Sequence, residues 1–197
     1  GSRVFDNGMF INGQLGAGYN QYDMERTVTG LGTAEGSTNG LQGTLKLETG
    51  QDFAFDNLII TPLLGVQYTY LDMDSYEETG AASLQVTPDA MSMIDTSVGL
   101  QASYAIPLYS GSTLKPMVHA RYIYRLGDDS FATTSRFTAG GTAFATNGVK
   151  ADKSSINVGG GLLLNTVYGT DLSLNYDADI RSNFIAHSGQ LKARVPF

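Results

Sequence analysis

Leu172-Ser173-Leu174-Asn175-Tyr176-Asp177-Ala178-Asp179-Ile180-Arg181 is the stretch whose reading decides the fold. Leu172, Leu174, Tyr176, Ala178 and Ile180 fall on one side, and Ser173, Asn175, Asp177, Asp179 and Arg181 on the other. A period of two marks a β-strand whose two faces meet different surroundings. After a short loop the pattern returns: Leu191, Ala193, Val195 and Phe197 alternate with Gln190, Lys192, Arg194 and Pro196. A flat apolar strand at a terminus templates aggregation unless its edge is covered, which predicts that the last strand pairs with the first and closes the sheet.

The alternation recurs toward the N terminus. It runs over Ile11 to Tyr22, Leu41 to Phe53, Ile60 to Tyr70, Ile94 to Ile106, Leu114 to Arg125 and Ile156 to Leu164, so the chain reads as eight strands. The connections predicted between them fall into two classes. Asp52 to Asn57, the turn Tyr109-Ser110-Gly111 and the turn Tyr168-Gly169-Thr170 are short. Thr27 to Asn39, the acidic stretch Asp72 to Ala90, Gly127 to Lys153 (able to form a hairpin of its own) and the modest Ser182 to His187 are longer. With eight crossings the two classes sit at opposite ends, which is the sidedness of an outer-membrane barrel with short periplasmic turns and long outer loops.

Composition narrows the function classes. The chain has 197 residues, no Cys and no Trp, so neither a disulfide framework nor a cysteine metal site is present. A net charge of −7 argues against a nucleic-acid partner, because no basic stripe can neutralise phosphates. Mean hydropathy is −0.10, and no apolar run approaches the roughly 20 residues of a transmembrane helix. Membrane-spanning strands need only about 10 alternating residues each and escape such a test.

Alternation alone also fits a water-soluble eight-stranded barrel of the lipocalin kind, with the apolar face inside. The membrane reading is preferred because tyrosines recur near strand ends on the apolar face: Tyr19, Tyr68, Tyr70, Tyr104, Tyr122 and Tyr124, as in an interfacial aromatic girdle. The fold predicted is therefore all-β, an antiparallel transmembrane β-barrel with eight spanning strands, in one domain over residues 1–197.

The polar face would then line the lumen with Lys46, Glu48, Asp95, Lys115, His119, Arg121, Arg125, Asp177, Asp179, Arg181, Lys192 and Arg194. Buried charges must be paired, so a salt-bridged plug is the plain reading and a polar track for a passing chain the functional one. An eight-stranded barrel is just filled by its own side chains, which favours the plug. No nucleophile elbow or cofactor motif is present. Asp128, Asp129 and His187 could stand at an outer rim as in barrel proteases, and Asp72, Asp74, Glu77 and Glu78 could offer oxygen ligands to Ca²⁺; a solvated loop is the plainer reading of both. No catalytic residue, metal or cofactor is assigned.

The series LIITPLLGVQYTYLDMDSYEETGA (58–81), SVGLQASYAI (97–106), LKPMVHARYIYRLGDD (114–129), INVGGGLLL (156–164) and LSLNYDADI (172–180), with the terminal Phe197, resembles the β-domain of autotransporters, the type V secretion proteins. MFINGQLGAGYNQYDMER (9–26) resembles the earlier strands of that family. The resemblance implies an outer-membrane translocator at the C-terminal end of a longer precursor, in contact with lipid, whose N-terminal passenger reaches the cell surface. It also implies recognition of the last strand by the barrel-assembly machinery, carried here by Leu191, Val195 and Phe197. Pro196 and Gly189 depart from the usual form of that signal. The family barrel has twelve strands around a pore segment. The eight found here therefore imply either an absent upstream portion or a small closed barrel with a plugged lumen whose outer loops bind partners.

Overall fold

The computed structural model describes residues 1–109, 111–128 and 130–195. Eight long strands run through it: β1 (Met9–Val28), β2 (Gly32–Gln51), β3 (Leu58–Met73), β4 (Met91–Tyr104), β5 (Thr113–Gly127), β6 (Ser154–Asn165), β7 (Asp171–Ile180) and β8 (Ile185–Arg194). Each pairs antiparallel with its neighbours in chain order. The fold is all-β and the sheet curls into a half-barrel.

The curl is visible in one side chain. Arg121 on β5 bonds Glu48 on β2, with Nη1 2.6 Å from Oε2. Those strands are three places apart, about 14 Å along a flat sheet, so the sheet must bend to bring the groups together. Leu64, Val98, Leu100, Val118, Leu162, Leu174 and Leu191 stand exposed on the convex side, and the charged residues of the alternating set face the concave side. The apolar face is therefore the outer one, as the membrane reading requires and a lipocalin-like interior would not.

The sheet does not close among the described residues: β8 and β1 end the strand order, and they are not paired. Ser2–Val4 occupies the start of the free β1 edge, pairing with Phe10 to Asn12. Eight strands at this curvature cover about half a circumference, which corrects the expected pairing of last strand with first.

The expected loop Thr27 to Asn39 is mostly strand. The β1–β2 ladder continues in register to Val28 opposite Gly32, and Thr29-Gly30-Leu31 makes a three-residue turn with Gly30 at φ 80° and Gly32 at φ 114°. This stretch is Thr- and Gly-rich, and the face covered by the outer sheet carries Ala34, Gly36 and Thr38, small residues that leave no large apolar side chains to alternate with exposed Glu35 and Ser37. The turn between β7 and β8 likewise shrinks, with Arg181 N donating to Phe184 O. Pro196 and Phe197, the end of the expected eighth strand, lie outside the described residues, as does Ser110 of the expected tight turn.

The two longest connections hold structure of their own. Tyr76–Glu77, Leu84–Pro88, Ala132–Phe137 and Phe144–Asn147 form a separate four-stranded sheet, and Thr79–Gly80 adds to β2 at Ala34 and Glu35. The hairpin expected within 127–153 is the pairing of Ala132–Phe137 with Phe144–Asn147. The acidic stretch read as an open loop supplies the other two strands.

Candidate functional site

The concave face is a groove of about 640 Å³ whose lining includes Lys46, Asp95, His119, Arg121, Arg125, Asp177, Asp179, Arg181 and Lys192. Strand alternation aims these side chains inward from five of the eight strands and from Arg181 at the end of β7. Most of these charges are paired. Arg125 holds Asp95 with two bonds, 2.8 and 3.0 Å, in the fork geometry that suits a carboxylate. Arg181 Nε donates to Asp179 at 2.9 Å, and Ser155 Oγ reaches the other oxygen of that carboxylate. His119 Nε2 lies 3.0 Å from Asn157 Oδ1 and 2.9 Å from Asp177 Oδ1. Lys46 stands 4.0 Å from Glu48 Oε2.

Glycine makes the long Arg121 arm feasible. Gly99 is opposite Arg121 across the β4–β5 ladder, and a Cβ there would sit 2.6 Å from Arg121 Cγ and 2.7 Å from Ala120 O. Gly65 is opposite Glu48, and its Cβ would meet Ser97 Oγ at 2.6 Å. The two glycines leave a floor low enough for the guanidinium to cross two strands.

Of the residues expected in the lumen, Glu48 is reached through Arg121 while Lys115 and Arg194 lie outside the groove lining. Arg194 is exposed opposite Asp171, at the inner end of the edge strand β8. Neutral members escaped the sequence reading as lumen candidates: Gln67, Gln101, Asn157, Asn175 and Gln190 share the lining, and their parity with the charged residues was the available signal. Tyr68, Tyr70, Tyr122 and Tyr124 are exposed toward the outer ends of β3 and β5, and Tyr104 at the inner end of β4, so the tyrosines stand at two levels. Leu191 and Val195 are exposed; Phe197 lies outside the described residues.

Beyond the barrel wall, Glu78 is buried and held by the guanidinium of Arg26, which also donates to Ala82 O at 2.9 Å. Leu84 N adds a third bond to the same carboxylate. The Arg26 hydrogen bond keeps the Glu78 carboxyl below its ordinary range, against the opposing effect of burial. Glu78 is thus a structural clasp. Among the described residues no group of three or more acidic or histidine side chains comes together to hold a metal. Asp128 accepts from Ser92 N, and His187 bonds Tyr176 on the outward face, so each has a structural partner; Asp129 lies outside the described residues.

A family model described as Autotransporter beta-domain matches residues 1–177. Outer membrane protein A of Rickettsia conorii (strain ATCC VR-613 / Malish 7) is 29% identical over 173 residues, 86% of this chain and 8% of that protein. Outer membrane protein B of Rickettsia rickettsii is 27% identical over 154 residues, 77% of this chain and 9% of that protein. Outer membrane protein B of Rickettsia prowazekii (strain Madrid E) is 23% identical over 151 residues, covering 75% and 9%. The chain spans less than a tenth of the length of these relatives.

Proposed function

From the premise that the chain belongs to the autotransporter β-domain family and is an outer-membrane translocator domain with a structural or transport role, we propose that it delivers an N-terminal passenger to the cell surface and then anchors it. In this reading residues 1–197 are the C-terminal part of a longer precursor. The observation that carries it is the pairing of an apolar convex face with an open, charged concave face. Such a wall suits a pore that a polypeptide traverses, since a sealed interior would have no use for an open polar groove. The tyrosines at two levels fit the two bilayer interfaces, where an apolar ring and a polar hydroxyl are both satisfied.

Leu191, Val195 and Phe197 are proposed as the signal read by the barrel-assembly machinery. The exposure of Leu191 on the edge strand β8, and of Val195 just past its end, supports this, because the side chains and the open strand edge are accessible to a partner. The small closed barrel with a plugged lumen gains no support from a strand order whose ends are unpaired.

The test is made in cells carrying the full precursor. Protease added outside should release the passenger and leave in the outer-membrane fraction a fragment whose gel mobility changes on boiling, as folded barrels do. A passenger shielded until the cells are lysed would rule out delivery.

A further inference from the structure

The outer sheet grows out of the barrel wall. The last β3–β4 pair is Leu71 opposite Met91, and the same register carried outward gives Tyr76 opposite Val86 and Glu77 opposite Gln85, which is the pairing observed. Residues 76–88 are therefore the outer arm of the β3–β4 hairpin. Two breaks that belong to no strand, residues 74–75 and 89–90, join it to the wall.

Parity fixes the side of the first hairpin on which this arm lies. The β1–β2 ladder keeps one register from Met9 opposite Gln51 to Val28 opposite Gly32. The face of β2 that turns Lys46 into the groove is thus continued outward by Thr38, Gly36 and Ala34, with Arg26 beside Ala34 on β1. That face is the covered one. Thr38 Oγ1 donates to Asp74 O at 2.6 Å, the Tyr76 ring lies over Gly36 with its hydroxyl 3.6 Å from Met24 Sδ, and Arg26 holds Glu78.

A polypeptide leaving the groove along its own lining runs into this arm. Resting on the translocator reading above, we infer that the outer arm of β3–β4 is a lid on the outer end of the groove, latched to the first hairpin by Arg26 and Glu78 and hinged at residues 74–75 and 89–90. It lies shut against the groove side of the first hairpin and swings aside, with the outer sheet, for a chain in transit. The arm yields before the wall does, because its ladder to β2 is the short bridge of Thr79–Gly80 with Ala34 and Glu35, whereas β3 stays zipped to β2 and β4 along most of its length.

A latch can be locked. Residues 1–197 contain no cysteine, so Arg26→Cys with Glu78→Cys places two thiols at the clasp, to be bridged by a short linker that reductant cleaves. Cells making the full precursor are pulse-labelled and chased with the linker in the medium. Bridging, confirmed by mass spectrometry of the joined peptides, should slow the appearance of protease-accessible passenger about ten-fold relative to either single variant, and reductant should restore the rate. Should this pair lose the boiling-dependent mobility of a folded barrel, Met24→Cys with Tyr76→Cys, whose native side chains touch at 3.6 Å, repeats the test. A bridged precursor that exposes its passenger at the rate of the single variants overturns the lid and makes the arm a fixed brace, leaving the translocator reading standing. Thiols that never bridge in folded barrels overturn the latched position itself. A wild-type passenger that never becomes accessible overturns the translocator reading, and the inference falls with it.

Discussion

The first hairpin and the last share one antiparallel ladder but differ twofold in length: β1 and β2 have 20 residues each, β7 and β8 have 10. At roughly 3.3 Å per residue, 10 residues reach about 33 Å and, tilted, suit a hydrocarbon layer of about 30 Å; 20 residues reach about 66 Å and leave about half their length beyond it. The two are accordingly held by different means. The last hairpin exposes Leu172, Leu174, Ile180 and Leu191 and needs only an apolar solvent on that side. The outer half of the first carries Asp23, Glu25 and Glu35 and is held as a water-soluble protein is held. Ala34 and Thr38 are buried there, the Tyr76 ring lies over Gly36 so closely that a Cβ would meet it at 2.8 Å, and Arg26 clasps Glu78. One ladder passes between two solvents, and each half is stabilised by what its solvent permits.

The largest expected effect separates these halves directly. Leu174→Arg places a cation on the lipid face of the last hairpin and should cost about 2–4 kcal/mol of folding free energy, read by urea titration in phospholipid bilayers. Leu31→Arg, at the exposed tip of the first hairpin, should stay within about 0.5 kcal/mol. Equal costs would mean that the tip of the first hairpin is also in lipid.

A smaller effect probes the clasp. Arg26→Ala strips a buried carboxylate of its charged partner and should destabilise the outer sheet locally by about 1–3 kcal/mol, seen as faster proteolysis within residues 74–90. Acid should act the same way. The folded-state Glu78 carboxyl is held below its ordinary value of 4.5, first by the Arg26 hydrogen bond. Its contribution is complete above that value and is lost as pH falls through the depressed one. Cleavage within residues 74–90 should therefore rise in this acid window before the barrel loses its boiling-dependent mobility, and Glu78→Gln should abolish the pH response. A wild-type response unchanged in Glu78→Gln would place the sensitivity elsewhere.

The same contrast explains what the sequence discloses. Leu172 to Arg181 is legible because lipid on one side and a polar lumen on the other impose strict alternation. Gly32 to Asn39 is equally strand, but its covered face is built of the small residues Ala34, Gly36 and Thr38 against the outer sheet, so no large apolar side chains alternate and the stretch reads as loop. Leu84–Pro88 pairs with Ala132–Phe137 across an interval of more than 40 residues, and no local pattern announces such a partner. Candidate lumen charges were legible by parity, whereas their pairing was not: the reach of Arg121 to Glu48 depends on Gly99 and Gly65 lying in its path, which is a property of register. That the sheet does not close among the described residues could not be read from alternation, which fixes faces and leaves edges unspecified.

The smallest effect measures how far the last hairpin sits in lipid. Tyr176 and His187 stand outward on β7 and β8, their rings stacked at 6.0 Å and the hydroxyl 2.7 Å from Nδ1. Where water can reach this pair, Tyr176→Phe exchanges one hydrogen bond for another and costs close to nothing. In hydrocarbon no water replaces the lost donor, and an unsatisfied ring nitrogen should cost about 0.5–1.5 kcal/mol. Tyr176→Phe together with His187→Phe removes both polar partners and should recover most of that loss, since an apolar pair of similar shape leaves nothing unsatisfied. Measured by the same urea titration, a loss in the single variant that the double variant restores puts the outer hydrocarbon boundary beyond the third residue of β8. No loss in the single variant puts that boundary nearer the middle of the hairpin.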